Sequence, residues 1–217
     1  MNTLQIVLEL IAIAVLATVI LLLARAKKKL EKRLTETEKA KYKKMDINTS
    51  TPPFDILDDW LKTIIRNVPD TRLILYEYVR EKNISTAWKE WALNMMEAGY
   101  ETDGIVQLAG EDLTMNPFEF KELASQIFNE LDINVSPKLA YEQYVLWTAY
   151  NVINGEMTAK EGFELLTTAA VDTEYDDTFM PFYHLTDDFD MKVENEGYSN
   201  EDIEKMQQKV FMNLTGC

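Results

Sequence analysis

The spacing of hydrophobic residues divides the chain into two parts. Residues 4–24 form a near-continuous apolar run, whereas from residue 54 onwards apolar residues recur at every third or fourth position. A helix needs roughly 20 apolar residues to cross a bilayer, and three- and four-residue spacing is typical of amphipathic helices packed on a core. The sequence has no run of alternating apolar and polar residues long enough to predict a strand. The pattern therefore predicts an all-α protein with one N-terminal transmembrane helix and an irregular bundle of about seven or eight short helices.

Two further segments connect these parts. Residues 25–44 consist of good helix formers without Gly or Pro, so the transmembrane helix is expected to continue as a basic juxtamembrane helix. Residues 45–53 read MDINTSTPP, and their Ser, Thr, Asn and paired Pro residues predict a linker. The predicted organisation is an anchor at 1–24, the basic helix at 25–44, the linker at 45–53 and a helical domain at 54–217.

Residues that start or end helices punctuate this domain. The predicted N-caps and terminal glycines are Asn116, Ser136, Thr158, Ser199, Gly99, Gly110 and Gly155. The helix predicted at 137–154 is apolar on more than one side, which is typical of a central helix. Residues 172–198 lose the helical period, and we predict a long, partly packed loop there.

Charge is distributed as unevenly as hydrophobicity. The net charge of −15 includes +7 over residues 25–44 and −21 over residues 45–217. Residues 1–8 contain no Lys or Arg, so the positive-inside rule predicts an inner (cytoplasmic) membrane protein with its N-terminus outside and its C-terminal domain in the cytoplasm. Basic residues beside an anchor attract anionic lipid headgroups. Those expected to bind the membrane surface are Arg25, Lys27, Lys28, Lys29, Lys32 and Arg33.

The acidic domain is expected to bind a basic protein rather than nucleic acid. Its negative charge repels phosphates and is complementary to a basic partner. Many of its acids lie in the predicted loop, and the candidate partner-binding residues are Asp172, Glu174, Asp176, Asp177, Asp187, Asp188 and Asp190. Their spacing lacks the turn glycine and the terminal glutamate of a calcium-binding loop. We therefore predict no metal ligands and no cofactor.

Three features of the sequence have competing interpretations. Residues 24–26 resemble the cleavage site of a secretory signal, but the positive charge follows the apolar run instead of preceding it. Glu9 lies within the predicted span, where it reaches the headgroup layer, stays protonated or has an intramembrane function. Cys217 is the only cysteine, so no intramolecular disulfide forms, in agreement with a reducing cytoplasm. Its thiol is interpreted as incidental, and the alternatives are lipidation or an intermolecular disulfide. The anchor remains the favoured interpretation of the N-terminus.

A single histidine, His184, is the main candidate for catalysis. It lies in the apolar segment 179–185, and Asp187 or Asp188 is near enough in sequence to orient it. No nucleophile elbow, zinc-protease motif or phosphate-binding loop accompanies it, so a packed or surface histidine is favoured. Four tryptophans are expected to pack in the core: Trp60, Trp88, Trp91 and Trp147.

Several short motifs together resemble a pattern in small helical bacterial proteins. They are WALNMMEAGY at 91–100, IVQLAG at 105–110, NPFE at 116–119, NEL at 129–131 and MPFY at 180–183. The resemblance covers about residues 55–190 and implies a bacterial origin and a helical fold. It carries no catalytic residue over to this chain, and the N-terminal anchor departs from the soluble members of that group.

The leading functional hypothesis is a membrane-anchored protein-binding module. An immunity, inhibitor or adaptor protein for a basic partner would use the acidic domain in this way. One alternative is a membrane-tethered hydrolase or metal-dependent enzyme that uses His184 and nearby acids. Another is a structural role in membrane assembly through the anchor and the basic helix. The sequence makes no prediction about homo-oligomers.

Overall fold

The computed structural model describes residues 57–216, and every regular element in that range is an α-helix. Nine helices and no strand occur there, which confirms the all-α prediction for this part of the chain. In order they are α1 (Asp59–Asn67), α2 (Thr71–Val79), α3 (Thr86–Glu97), α4 (Asp103–Gly110), α5 (Pro117–Glu130), α6 (Pro137–Ile153), α7 (Ala159–Asp172), α8 (Met180–Glu196) and α9 (Asn200–Thr215).

Several predictions concern the two ends of the chain, outside the described residues. They are the anchor at 4–24 with Glu9, the basic helix at 25–44, the linker at 45–53 and the interpretation of Cys217. Among the helices that the structure describes, none is both long enough and apolar enough to cross a bilayer.

Polar side chains begin several helices at the predicted positions. Asn116 and Ser136 accept hydrogen bonds from backbone N–H groups in the first turns of α5 and α6, each of which also has an early proline. In the first turn of α7, the side chains of Thr158 and Glu161 bind each other's backbone N–H groups. The same reciprocal bonding starts α9 at Ser199. Local hydrogen bonding therefore sets these helix boundaries.

The predicted loop at 172–198 is wrong over most of its length, because α8 occupies it. Phe182 and Phe189 are buried two turns apart on this helix, and Leu185 is half-buried between them. Gly197 ends the helix in a left-handed conformation with φ 73°. The acidic residues on the outer side concealed this apolar period, and α8 raises the helix count above the predicted seven or eight.

The helix α6 lies at the centre of the described domain, as its apolar faces predicted. It packs against α2, α7 and α9. Tyr76 of α2 stacks on Tyr144 of α6 with ring centroids 3.9 Å apart, and Trp147 continues the stack 5.8 Å from Tyr144. Burial raises the pKa of Tyr76 to about 12, so its hydroxyl is neutral at physiological pH. This stack joins the core to the surface, since Trp147 is half-buried.

Two other aromatic clusters lie in the buried core of the described domain. Trp88 and Trp91 of α3 are both fully buried, as predicted. Trp88 contacts Phe120 of α5, and Trp91 contacts Phe128 of the same helix. The second cluster joins α7, α8 and α9 through edge-to-face contacts about Phe163, and its other members are Phe182, Phe189 and Phe211. Rings of this size bury much of the apolar surface that stabilises the domain.

Two tryptophans depart from the prediction that all four lie in the core, since Trp147 is half-buried and Trp60 is exposed. The side chain of Trp60 is 45% exposed, and its Nε1 donates a hydrogen bond to the carbonyl of Leu131 at 2.7 Å. Its ring meets the ring of Tyr100 edge-to-face at 5.7 Å, and Asn67 Nδ2 donates to the hydroxyl of Tyr100 at 2.9 Å. These contacts attach α1 to the end of α5 and to the segment after α3.

Candidate functional site

The seven acidic residues singled out in the sequence lie on one helical hairpin, formed by α7, the turn 173–179 and α8. The hydroxyls of Thr167 and Thr186 are 2.9 Å apart across the two helices. At the turn, the rings of Tyr175 and Tyr183 meet edge-to-face at 5.5 Å. We call this unit, residues 159–196, the acidic hairpin.

The structure separates these residues into two groups within the hairpin. Asp172 is the last residue of α7, and three more acids lie in the turn, whereas the remaining three lie on α8. The turn residues are Glu174, Asp176 and Asp177, and the α8 residues are Asp187, Asp188 and Asp190. Five of the seven side chains are exposed, and those of Asp176 and Asp188 are half-buried. The hairpin therefore presents negative charge at its tip and along the outer side of α8.

The seven acids take part in none of the ion pairs that join described side chains. Two of those six pairs, Lys160 with Glu164 and Lys192 with Glu196, lie within the hairpin but use other carboxylates. The Asp176 carboxylate accepts a hydrogen bond from the backbone N–H of Thr178 at 2.9 Å. Arg80 donates to the backbone carbonyl of Asp172 and not to its carboxylate. The charge of the seven carboxylates thus remains available to a partner in solution.

His184 lies on α8, half-buried, with its ring 6.1 Å from the ring of Tyr183 in an edge-to-face contact. Asp188 is four residues further on and so lies on the same side of the helix. No hydrogen bond joins His184 to Asp187 or Asp188 in the part of the chain that the structure describes. Within residues 57–216, no three His, Cys, Asp or Glu side chains converge to hold a metal ion.

A second feature was not predicted from the sequence. Three basic residues line a groove of about 500 Å³ between α1, the start of α2 and the C-terminal half of α6. They are Lys62, Arg66 and Arg72. Other groups that line this groove are Asp70, Trp147, Tyr150, Asn151, Asn154 and Glu156. We call it the basic groove.

Contacts from α6 fix two side chains of the basic groove. Arg72 Nη1 donates a hydrogen bond to the buried Gln143 Oε1 at 2.5 Å, and the Arg72 guanidinium lies 5.2 Å from the ring centroid of Tyr150. Trp147 Nε1 donates to Asp70 Oδ1 at 3.2 Å. Asp70 occupies the N-cap position of α2, but its carboxylate accepts a hydrogen bond from this indole and does not cap the helix. These bonds hold polar groups of α2 and α6 in a defined arrangement.

The sequence carries only one local signal for the basic groove. Lys62 and Arg66 are four residues apart on α1, a spacing that puts two side chains on one side of a helix. Arg72 and its contacts on α6 are about 70 residues apart in the chain, so no local pattern connects them. The strong negative charge of the whole domain also concealed a small basic region.

The fold and these two surfaces define an acidic all-α domain with one basic groove. No family model, curated protein or solved structure matches the chain. The resemblance to small helical bacterial proteins therefore stays a prediction from the sequence.

Proposed function

We propose that this chain is a single-pass membrane protein whose acidic helical domain binds a basic protein in the cytoplasm. The anchor at residues 4–24 would hold the domain at the inner membrane, where the partner arrives or acts. An immunity or inhibitor protein that masks a cationic partner, or an adaptor that recruits one, would have this organisation. The acidic hairpin is the surface that we assign to the contact.

One observation carries this proposal. Five exposed carboxylates on the acidic hairpin have no ion-pair partner among the described residues. Unpaired charges of one sign on a single surface speed association with an oppositely charged partner and exclude partners of the same charge. The hairpin is also rigid enough to present them, since buried phenylalanines join α8 to α7 and α9.

The experiment that tests this proposal compares two variants with the same change in net charge. The hairpin variant carries Asp177→Asn, Asp187→Asn and Asp190→Asn. The control variant carries Glu97→Gln, Glu101→Gln and Glu122→Gln, which are exposed acids outside the hairpin. Each full-length chain, purified in neutral detergent and immobilised, is used to capture proteins from host lysate at low and at high salt.

We expect the native chain to retain one basic protein in stoichiometric amount at low salt and to release it at high salt. The hairpin variant should bind that protein at least about tenfold more weakly, which corresponds to roughly 1.4 kcal/mol. The control variant should bind it as the native chain does. If both variants bound the protein equally weakly, the binding would depend on net charge and not on the acidic hairpin. Failure of the native chain to retain any basic protein would refute the proposal.

A further inference from the structure

We propose that the basic groove binds the phosphate group of a small organic phosphate ester. This inference concerns a different surface from the acidic hairpin and does not depend on a protein partner. The basic side chains of the domain are unevenly placed. Residues 57–216 contain 12 basic and 31 acidic side chains, and three of the 12 line this single groove.

The size of the basic groove suits a small molecule. Its volume of about 500 Å³ lies within the range of roughly 300–1,000 Å³ that is usual for small-ligand sites. Such sites combine aromatic or apolar walls with a few polar groups that orient the ligand. Here Trp147 and Tyr150 supply the aromatic surface, and Asn151 and Asn154 supply amides.

Arg72 is oriented before any ligand arrives. Its hydrogen bond to Gln143 and its contact with the Tyr150 ring fix the plane of the guanidinium. Gln143 is fully buried, and its Nε2 has no hydrogen-bond partner among the described residues. A buried donor without a partner costs roughly 1–3 kcal/mol. Gln143 Oε1 thus holds the guanidinium at the wall of the basic groove.

The cations and acids of the basic groove together define the ligand. A planar guanidinium matches the geometry of phosphate oxygens. Arg66 and Lys62 add positive charge on the α1 side, although Lys62 Nζ also lies 4.0 Å from Asp59 Oδ1. Asp70 and Glu156 repel a second anionic group but accept hydrogen bonds from hydroxyls. A phosphate ester whose organic part carries hydroxyl groups fits this lining, because the phosphate can bind the cations and the hydroxyls can donate to the two carboxylates. A soluble nucleotide and the glycerol phosphate headgroup of a lipid both have this chemistry.

The test measures binding to the full-length chain in neutral detergent by isothermal titration calorimetry. The three probes are inorganic phosphate, AMP and the short-chain lipid dihexanoyl-phosphatidylglycerol below its micellar concentration. The groove variant is Lys62→Gln with Arg66→Gln, because both side chains are at the surface and their loss should leave the fold intact. The control variant, Lys121→Gln with Lys209→Gln, removes the same charge outside the groove. Circular dichroism verifies that both variants are folded.

We expect AMP or the short-chain lipid to bind at least about fivefold more tightly than inorganic phosphate, because only the organic part of an ester can contact the aromatic and carboxylate side chains of the groove. Whichever ester binds more tightly identifies the source of the phosphate. The groove variant should bind it at least about tenfold more weakly, and the control variant within about twofold of the native chain. The proposal is overturned if no probe binds at millimolar concentration, if inorganic phosphate binds as tightly as the esters, or if both variants lose affinity equally.

Discussion

Glu77 is a carboxylate that folding moves into an unfavourable environment. It lies half-buried on α2, and the hydroxyl of Ser85 donates to its Oε2 at 3.4 Å. Burial raises the pKa of Glu77 above its ordinary value of 4.5, and the Ser85 bond and Lys82 only partly oppose this effect. The folded state therefore binds the proton more tightly than the unfolded state. The associated stabilisation is complete below pH 4.5 and is lost as the pH rises through the folded-state pKa.

The substitution Glu77→Gln tests this account of a single residue. An amide keeps an acceptor for Ser85 but carries no charge, so it removes the penalty of burying an ionised group. We expect the free energy of unfolding to increase at pH 7 and to stay unchanged near pH 4, as measured by urea denaturation monitored through tryptophan fluorescence. Glu122→Gln, on the exposed side of α5, should change it by less than about 0.5 kcal/mol at either pH. An equal gain from Glu77→Gln at both pH values would contradict the electrostatic explanation.

Close packing between helices requires a residue without a side chain at some buried positions, and Gly162 is one of them. Gly162 of α7 is buried where α7 meets α6 and α9. A Cβ atom at this position would lie 2.9 Å from Phe211 Cζ and 2.9 Å from Val152 Cγ2, which is closer than carbon atoms pack. Gly110, at the end of α4, has no atom within 4 Å of the corresponding position. The two glycines therefore provide a matched comparison of interior and surface positions.

Gly162→Ala is expected to reduce the free energy of unfolding by about 1–3 kcal/mol, because overpacking outweighs the better helix propensity of alanine. Gly110→Ala should be neutral or stabilising by up to about 1 kcal/mol, since its backbone conformation accepts a side chain. Thermal or urea denaturation of both full-length variants measures the difference. A Gly162→Ala protein as stable as the native one would show that α7 and α9 can separate without loss.

Helix existence was largely predictable from the sequence, whereas α8 was not. Apolar spacing and caps such as Thr158 with Glu161 act within a few residues, so they identify eight of the nine described helices. In α8 the acids at 187, 188 and 190 obscure the spacing of the apolar residues. The buried side of this helix becomes evident only from the packing of Phe182 and Phe189 on Phe163. Tertiary contact overrode local composition there.

The sequence predicted the two candidate sites to different degrees, because local clusters are visible in a sequence and long-range contacts are not. The acids of the hairpin are close in sequence, so their clustering was visible, although their distribution over a turn and a helix was not. The basic groove joins α1, α2 and α6, and its key contact links Arg72 to Gln143. Side chains so far apart in the chain meet only after α2 has packed against α6. Charge counting alone gave no indication of a basic site in this domain.

At the scale of the whole molecule, the distribution of charge supports the proposed membrane arrangement. The segment 25–44 carries +7, and the described domain carries −19. An anionic membrane surface attracts the first and repels the second, within a distance set by the Debye length of about 8 Å at physiological ionic strength. In the proposed arrangement the acidic domain stands away from the bilayer and is accessible to a partner.

The single cysteine allows the proposed topology to be measured directly. A membrane-impermeant thiol reagent should label Cys217 only after bacterial cells are permeabilised, because the C-terminus is proposed to be cytoplasmic. In a Cys217→Ser background, the substitution Asn2→Cys should instead be labelled in intact cells. The Cys217→Ser protein alone should show no labelling, since no other cysteine is present. Labelling of Cys217 in intact cells would reverse the proposed orientation.

The attachment of α1 has a mechanical consequence. Tension applied at residue 57 would act first on α1, the first helix of the described residues. The hydrogen bond from Trp60 to Leu131 and the contacts of Tyr100 then bear the load together with the buried side of α1. Because α1 also carries Lys62 and Arg66, displacing this helix would alter the basic groove, whereas it contributes no residue to the acidic hairpin. If the proposed anchor and the proposed ligand are both present, a pull on the anchor and the binding of that ligand would act against each other.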